Sequence, residues 1–141
     1  MSVNFAGTWY NQHDSRMTLQ VTATGAVSGT YQTGVGLPDR QETFPVAGFA
    51  AGDLIAFTVN FGSHGSLTAW AGQHTRDGSG TERLDTMWYL ARNVPDADEP
   101  QRLWGGIWSG ADVFRRTPYA AAERPTGRTA LPSHPVKLRD R

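Results

Sequence analysis

Cysteine is absent from the 141-residue chain, which excludes a disulfide scaffold, a thiolate zinc site and cysteine catalysis together. The compartment stays open on this ground, because a chain without disulfides suits either side of a membrane. Net charge is lacking as well: 13 basic side chains balance 13 acidic ones. No chain-wide field therefore marks the protein for nucleic acid or for an anionic membrane surface. No apolar run approaches the roughly 18 to 20 residues needed to cross a bilayer as a helix. The opening Met1-Ser2-Val3-Asn4 has no basic region followed by an apolar one, so no signal peptide is read; the chain either stays inside or is a processed form restarted at Met1.

Catalytic and metal signatures are missing too. The four histidines, His13, His64, His74 and His134, stand in separate turns or in the tail without metal-ligand spacing. Ser15 lies beside His13 and Asp14, but loop neighbours are not a triad, and no G-x-S-x-G elbow exists. Gly34-Val35-Gly36 has no helix after it and so is no phosphate loop. The chain reads as a binder with no catalytic residues, no metal and no cofactor.

Charge is present but unevenly divided. Residues 1–114 carry six basic and eleven acidic side chains, whereas residues 115–141 carry seven basic ones against Glu123 and Asp140. The final stretch also holds four of the eight prolines and few large apolar residues. Such a composition buries too little surface to offset its ordering entropy. It divides the chain into a folded domain over 1–117 and a basic tail over 118–141. That tail is either solvated or, by charge, laid against the acidic body or a neighbouring copy.

What the domain does contain is a regular alternation of β-branched or aromatic residues with small or polar ones. Eight runs stand out: Phe5–Asn11, Arg16–Ala23, Ala26–Thr33, Glu42–Phe49, Leu54–Phe61, Ser66–Thr75, Glu82–Arg92 and Gly106–Arg116. The separators are turn chemistry, such as Thr24-Gly25, Ala51-Gly52-Asp53 and Asp77-Gly78-Ser79-Gly80. Only Asn93–Leu103, with Pro95 and Pro100, is a long connector, with room for one helical turn. Short connections imply an antiparallel meander, and eight such strands close into an all-β, up-and-down β-barrel without exposed edges. Pro45 is the awkward residue, since an interior strand has no place for a missing N–H.

A barrel of this size encloses one small ligand, so the inward-facing residues decide function. Alternation places Trp9 and Asn11 on one face of the first run, and Gly29, Tyr31 and Thr33 on that of the third. Phe57, Val59 and Phe61 follow on the fifth, and Ser66, Thr68 and Trp70 on the sixth. The seventh supplies Leu84, Thr86, Trp88 and Leu90; the eighth supplies Trp108, Gly110, Asp112 and Phe114. The opposite face shows Gln32, Thr58, Asn60, Gln73, Asp85 and Arg115, which suits solvent or a subunit contact. A dry core would avoid Asp112, because burying a charge without partners is costly. An aromatic cavity with a few convergent polar groups is what a small-molecule site looks like.

Gly7-Thr8-Trp9-Tyr10-Asn11-Gln12, Gly29-Thr30-Tyr31-Gln32-Thr33-Gly34-Val35-Gly36 and Leu67-Thr68-Ala69-Trp70-Ala71-Gly72-Gln73 carry a family resemblance. Thr86-Met87-Trp88-Tyr89-Leu90 and Trp104 through Asp112-Val113-Phe114 continue it in the same order. Together they resemble the avidin and streptavidin family over roughly Phe5 to Arg116. A lone Gly-x-Trp is weak, since lipocalins also carry one, but the Asn-Gln after it, the Tyr-x-Thr hairpin and the spaced tryptophans are specific in combination.

The resemblance implies non-catalytic, high-affinity biotin binding in the open end of the barrel. By match to the family, Asn11, Ser15 and Tyr31 would donate to the ureido oxygen, while Asp112 and Thr33 would accept from the two ureido N–H groups. Thr68 would face the thioether sulfur and Ser66 the valerate carboxylate, helped by backbone N–H groups near Leu37 in the 34–40 loop. Phe61, Trp70 and Trp88 would wall the bicyclic ring, with Val35 and Leu90 filling gaps. His13-Asp14 adds a charged pair in front of Ser15 that threatens to displace it.

The resemblance further implies a secreted homo-oligomer, a tetramer in preference to a dimer, in which Trp104 reaches into a neighbouring subunit's site. Met87, Ser109, Ala111 and the large Trp108 depart from the family at the weaker subunit interface. Two alternatives stand beside this reading. One is a lipocalin-like carrier of another lipophilic ligand; the other is an assembly module whose pocket is vestigial or filled by its own tail.

Overall fold

The structure, a computed structural model, describes residues 3–34 and 41–123. Among them, strand-forming runs give Gly7–Tyr10 (β1), Arg16–Val21 (β2), Ala26–Gln32 (β3) and Phe44–Ala51 (β4). Leu54–Phe61 (β5), Ser66–Arg76 (β6), Glu82–Arg92 (β7) and Ile107–Arg115 (β8) complete the set. Each strand pairs antiparallel with its neighbours in chain order, and β8 returns to β1, so the sheet is a closed barrel. The eight-stranded antiparallel barrel expected from alternation is the observed fold. The connector before β8 holds a single four-residue helix, Glu99–Arg102 (α1), flanked by 3-10 turns at Asp96–Asp98 and Leu103–Gly106.

Period-two burial puts one row of each strand inside. Phe57, Val59 and Phe61 of β5 are buried while Leu54, Ala56, Thr58 and Asn60 are exposed, and β7 repeats the pattern. The core is strongly aromatic: Phe57 stacks on Trp70 at 5.1 Å, and Tyr31 lies 5.3 Å from the same indole. Each such pair adds about 0.5 to 1.5 kcal/mol beyond burial, and together they fix an aromatic wall inside the barrel.

Pro45 finds its place at the start of a strand. It pairs with Thr30 of β3, whereas β4 begins to pair with β5 only at Val46 and Val59. The missing N–H thus falls where β4 is not yet laddered on both sides.

The seam between β1 and β8 is thin in backbone pairing, with Tyr10 opposite Arg115. Side chains reinforce it at both ends. At one, the Gln12 amide donates to the Ala111 carbonyl at 3.1 Å and accepts from the Val113 N–H at 3.1 Å, imitating a strand partner. At the other, Arg116 lies 3.7 Å over the Trp9 ring, donates to the Ala6 and Asn4 carbonyls, and pairs with Glu82 at 3.1 Å. Past Thr117, the hydroxyl of Tyr119 donates to the Val113 carbonyl at 2.8 Å, and Arg115 bridges to Glu123 at 3.0 Å.

Candidate functional site

The β1–β2 turn builds the floor. Asn11 follows β1, and its side-chain oxygen accepts the backbone N–H groups of His13 and Ser15, each at 3.0 Å. That double acceptance fixes which end of the amide is nitrogen. The Asn11 amide nitrogen therefore faces inward, 3.3 Å from the Tyr31 hydroxyl and 3.4 Å from Asp112 Oδ2. Asp14 turns the chain with φ of 63°, a left-handed conformation that aspartate tolerates. The turn brings Ser15 inside rather than displacing it: Ser15 is buried, and its hydroxyl accepts the Gly34 N–H at 3.2 Å. Gly34 is required there, since a Cβ would stand 2.4 Å from the carbonyls of His13 and Asp14.

Asp112 of β8 is the centre of the arrangement. Its side chain is fully buried, yet both carboxylate oxygens are engaged. Trp70 donates its indole N–H to Oδ2 at 2.9 Å, and Gln12 donates to Oδ1 at 2.8 Å. Thr86 secures the Asp112 backbone by donating to its carbonyl at 2.8 Å. Charge-assisted bonds of this kind offset the desolvation of a buried carboxylate. His13 Nε2 stands 4.0 Å from Oδ1. Burial lowers the His13 pKa from its ordinary value, and the nearby Asp112 carboxylate partly opposes that shift.

Across the cavity stand groups of a different kind. Ser66 Oγ, Thr68 Oγ1 and Trp88 Nε1 are buried without a hydrogen-bond partner. Orphaned buried polar atoms cost about 1 to 3 kcal/mol each unless something satisfies them. They lie on consecutive strands, with Ser66, Thr68 and Trp70 alternating along β6 and Trp70 paired with Trp88 of β7. Gly110 of β8 lets the Trp88 indole lie flat: a Cβ there would stand 2.4 Å from its ring.

The fold therefore brings Asn11, Ser15, Tyr31, Thr33, Phe61, Ser66, Thr68, Trp70, Trp88, Leu90 and Asp112 to the buried inner face. Val35 and Leu37 lie outside the described residues. Trp104 is not brought to its own chain's interior; it stands 87 % exposed beside a crevice formed with Val94, Leu103 and Ile107.

Three features escaped the sequence reading. Gln12, placed in the turn, had no alternation to assign it to Asp112. His13 reaches the carboxylate only through the turn's geometry. The outer face of β4 to β8 carries an apolar patch, with Phe49, Leu54 and Met87 exposed around a groove of about 840 Å³ that also touches Ala71 and Ala111, and with Tyr89 exposed beside it. That face was legible from the same alternation, which had singled out only its polar members. Among the described residues no group of three metal-ligating side chains occurs.

The avidin-family sequence model, described as "Avidin family", matches residues 1–117. Avidin from Gallus gallus is 31 % identical over 121 residues, spanning 80 % of this chain and 78 % of that protein. The crystal structure of xenavidin superposes with a TM-score of 0.73 at 30 % identity, covering 83 % of this chain and 100 % of that one. A rhizavidin–biotin complex superposes with a TM-score of 0.63 at 30 % identity, covering 78 % and 97 % respectively.

Proposed function

The chain belongs to the avidin family, and from that premise we propose that it binds biotin without catalysis in the end of the barrel lined by Asn11, Tyr31 and Asp112. One observation carries the reading. Polar side chains from the β1–β2 turn, β3 and β8 meet around a buried carboxylate, while unpartnered hydroxyls face the same interior from β6. A cyclic urea presents one carbonyl oxygen and two N–H groups, and this set is its complement.

Asn11 and Tyr31, joined at 3.3 Å, are donors for the urea oxygen, with Ser15 as the third. Bonds of 3.3 and 3.4 Å are long, so the Asn11 amide gains by turning to a better acceptor. Asp112 and Thr33 accept from the two ring N–H groups. Thr68 and Ser66 lie along β6 toward the ring sulfur and the valerate carboxylate, and ligand atoms there would satisfy hydroxyls that are otherwise orphaned. Trp70, Trp88 and Phe61 wall the ring, with Leu90 behind. A lipocalin-like carrier would line its cavity with few polar groups, and the cluster around Asp112 counts against it.

The protein is further proposed to act as a secreted homotetramer, as family membership implies. The apolar face of β4 to β8 supports self-association, because a monomer gains nothing from exposing Phe49 and Tyr89 at 73 % and 63 %. Retention on a biotin matrix, released by free biotin, tests the binding. Flow-through of the folded protein would overturn it.

A further inference from the structure

We infer that His13 couples ligand capture to proton release, so that affinity falls on acidification through this one imidazole. The inference rests on the ligand reading above and adds regulation to the same site. Its basis is placement. The Asn11 side chain pins the His13 backbone at 3.0 Å, and the ring, only about a tenth exposed, stands with Nε2 4.0 Å from Asp112 Oδ1. At that distance the two rings of contact, ligand to Asp112 and His13 to Asp112, draw on one carboxylate.

The surrounding charges can be named. From β8 the facing group is Asp112 itself. From β3 the titratable group at the cluster is the Tyr31 hydroxyl, which meets the same Asn11 amide. On its own turn His13 is followed by Asp14, and the guanidinium of Arg16 at the start of β2 is taken up by Gln32 of β3. In the ligand-free protein burial already disfavours the imidazolium, with Asp112 partly compensating.

Ligand entry tips that balance. An N–H donated to Asp112 draws carboxylate charge away from His13, and a ligand seated against Asp112 displaces water beside the ring. Both changes penalise the cation, so the His13 pKa is lower in the complex than in the free protein. Linkage fixes the sign: the complex binds fewer protons, so affinity is fully present above the free-state pKa. It declines as pH falls from there to the pKa in the complex and is level below that. The loss is about tenfold for each unit separating the two pKa values.

The test is the dissociation rate of biotin from the full chain between about pH 5 and 8, for the parent protein and for His13→Gln and His13→Leu. The parent should release biotin several-fold faster at the acid end, and both variants should flatten that dependence. Calorimetry near pH 6 in two buffers of different ionisation enthalpy should show proton release from the parent but not from the variants. In the unsubstituted protein, an NMR titration of His13 should give a lower pKa with biotin bound. Parallel pH profiles in parent and variants, or an unmoved His13 titration, overturn the coupling while leaving biotin binding intact. Absence of biotin binding at every pH overturns the function proposed above and this coupling with it.

Discussion

Trp70 and Asp112 are joined by an indole-to-carboxylate bond of 2.9 Å that ties the aromatic wall of β6 to the acceptor on β8. The wall and the polar floor are therefore one mechanical unit. Asp112→Ala removes the acceptor for a ligand N–H, strands the Trp70 indole N–H and takes one acceptor from each of the Gln12 and Asn11 amides. Biotin affinity should fall by about 2 to 5 kcal/mol, read by calorimetry alongside a melting curve that confirms folding. A loss below about half a kcal/mol, small for a buried bond, would remove Asp112 from the site.

Gly110 is a positioning residue for Trp88. A methyl group there would approach the indole to 2.4 Å, and the pairing of Gly110 with Trp88 across the β7–β8 ladder holds the backbone and leaves the ring to yield. Gly110→Ala should weaken biotin by about 1 to 3 kcal/mol through a displaced wall, with a comparable loss of stability from overpacking. The indole emission should shift as the ring leaves its buried seat. Unchanged affinity would show that the wall tolerates the displacement.

Alternation made the barrel and its inner row legible, because every strand from β2 to β8 keeps one buried face and turn residues mark their ends. Asp112 was legible as an anomaly, a carboxylate on an otherwise aromatic row. The turn was legible only in part: alternation set Asn11 on the inner row and the resemblance named Ser15, while nothing assigned Gln12 or His13. Asn11, Gln12, His13 and Ser15 are consecutive or nearly so, yet they serve different ends: one amide faces the cavity, the next stitches the seam, and the imidazole backs the carboxylate. No periodicity encodes that division, which follows from the left-handed turn at Asp14 and its hydrogen bonds to Asn11. Pro45 looked misplaced only because a pattern in one strand does not reveal where its second neighbour begins to pair.

At the end of the barrel away from the ligand, stability should depend on acid pH through Glu82. Burial raises its pKa, but hydrogen bonds from Arg116 and His74 outweigh that effect and leave it below the ordinary carboxylate value. A depressed folded pKa contributes stability above the unfolded value and loses it as pH falls through the folded one. Arg116→Ala should cost about 1 to 3 kcal/mol near neutrality, and the gap to the parent should narrow below about pH 4.5, where carboxylates of ordinary pKa protonate. Urea unfolding at stepped pH measures it, and a constant gap would mean that the Glu82 pair contributes nothing.

Residues beyond Thr117 bear on the barrel through Tyr119, whose hydroxyl donates to the Val113 carbonyl at 2.8 Å while Arg115 lies 3.6 Å over its ring. Truncation after Thr117 removes both contacts and the Arg115–Glu123 bridge, exposing part of β8. A fall in stability of about 1 kcal/mol is expected, the ordinary worth of one hydrogen bond and one exposed cation–π contact. Identical melting of the full and truncated chains would assign these residues no part in the fold.

Trp104 tests the assembly and the pocket together. It is 87 % exposed in one chain, and its neighbours Leu103 and Ile107 are exposed as well. An indole left this open gives no stability to its own subunit. In the proposed tetramer it closes a neighbour's site instead, adding apolar area over the bound ligand. Trp104→Ala should then leave the melting temperature of the isolated barrel nearly unchanged but speed biotin release by about ten- to a hundredfold, corresponding to roughly 1.4 to 2.8 kcal/mol of lost contact. A Met87→Glu substitution on the apolar outer face, where the side chain is exposed, should shift the light-scattering mass of the assembly downward through repulsion of like charges at a self-contact. If Trp104→Ala releases biotin at the parent rate, the site is complete within one chain, and the tetramer would have no part in capture.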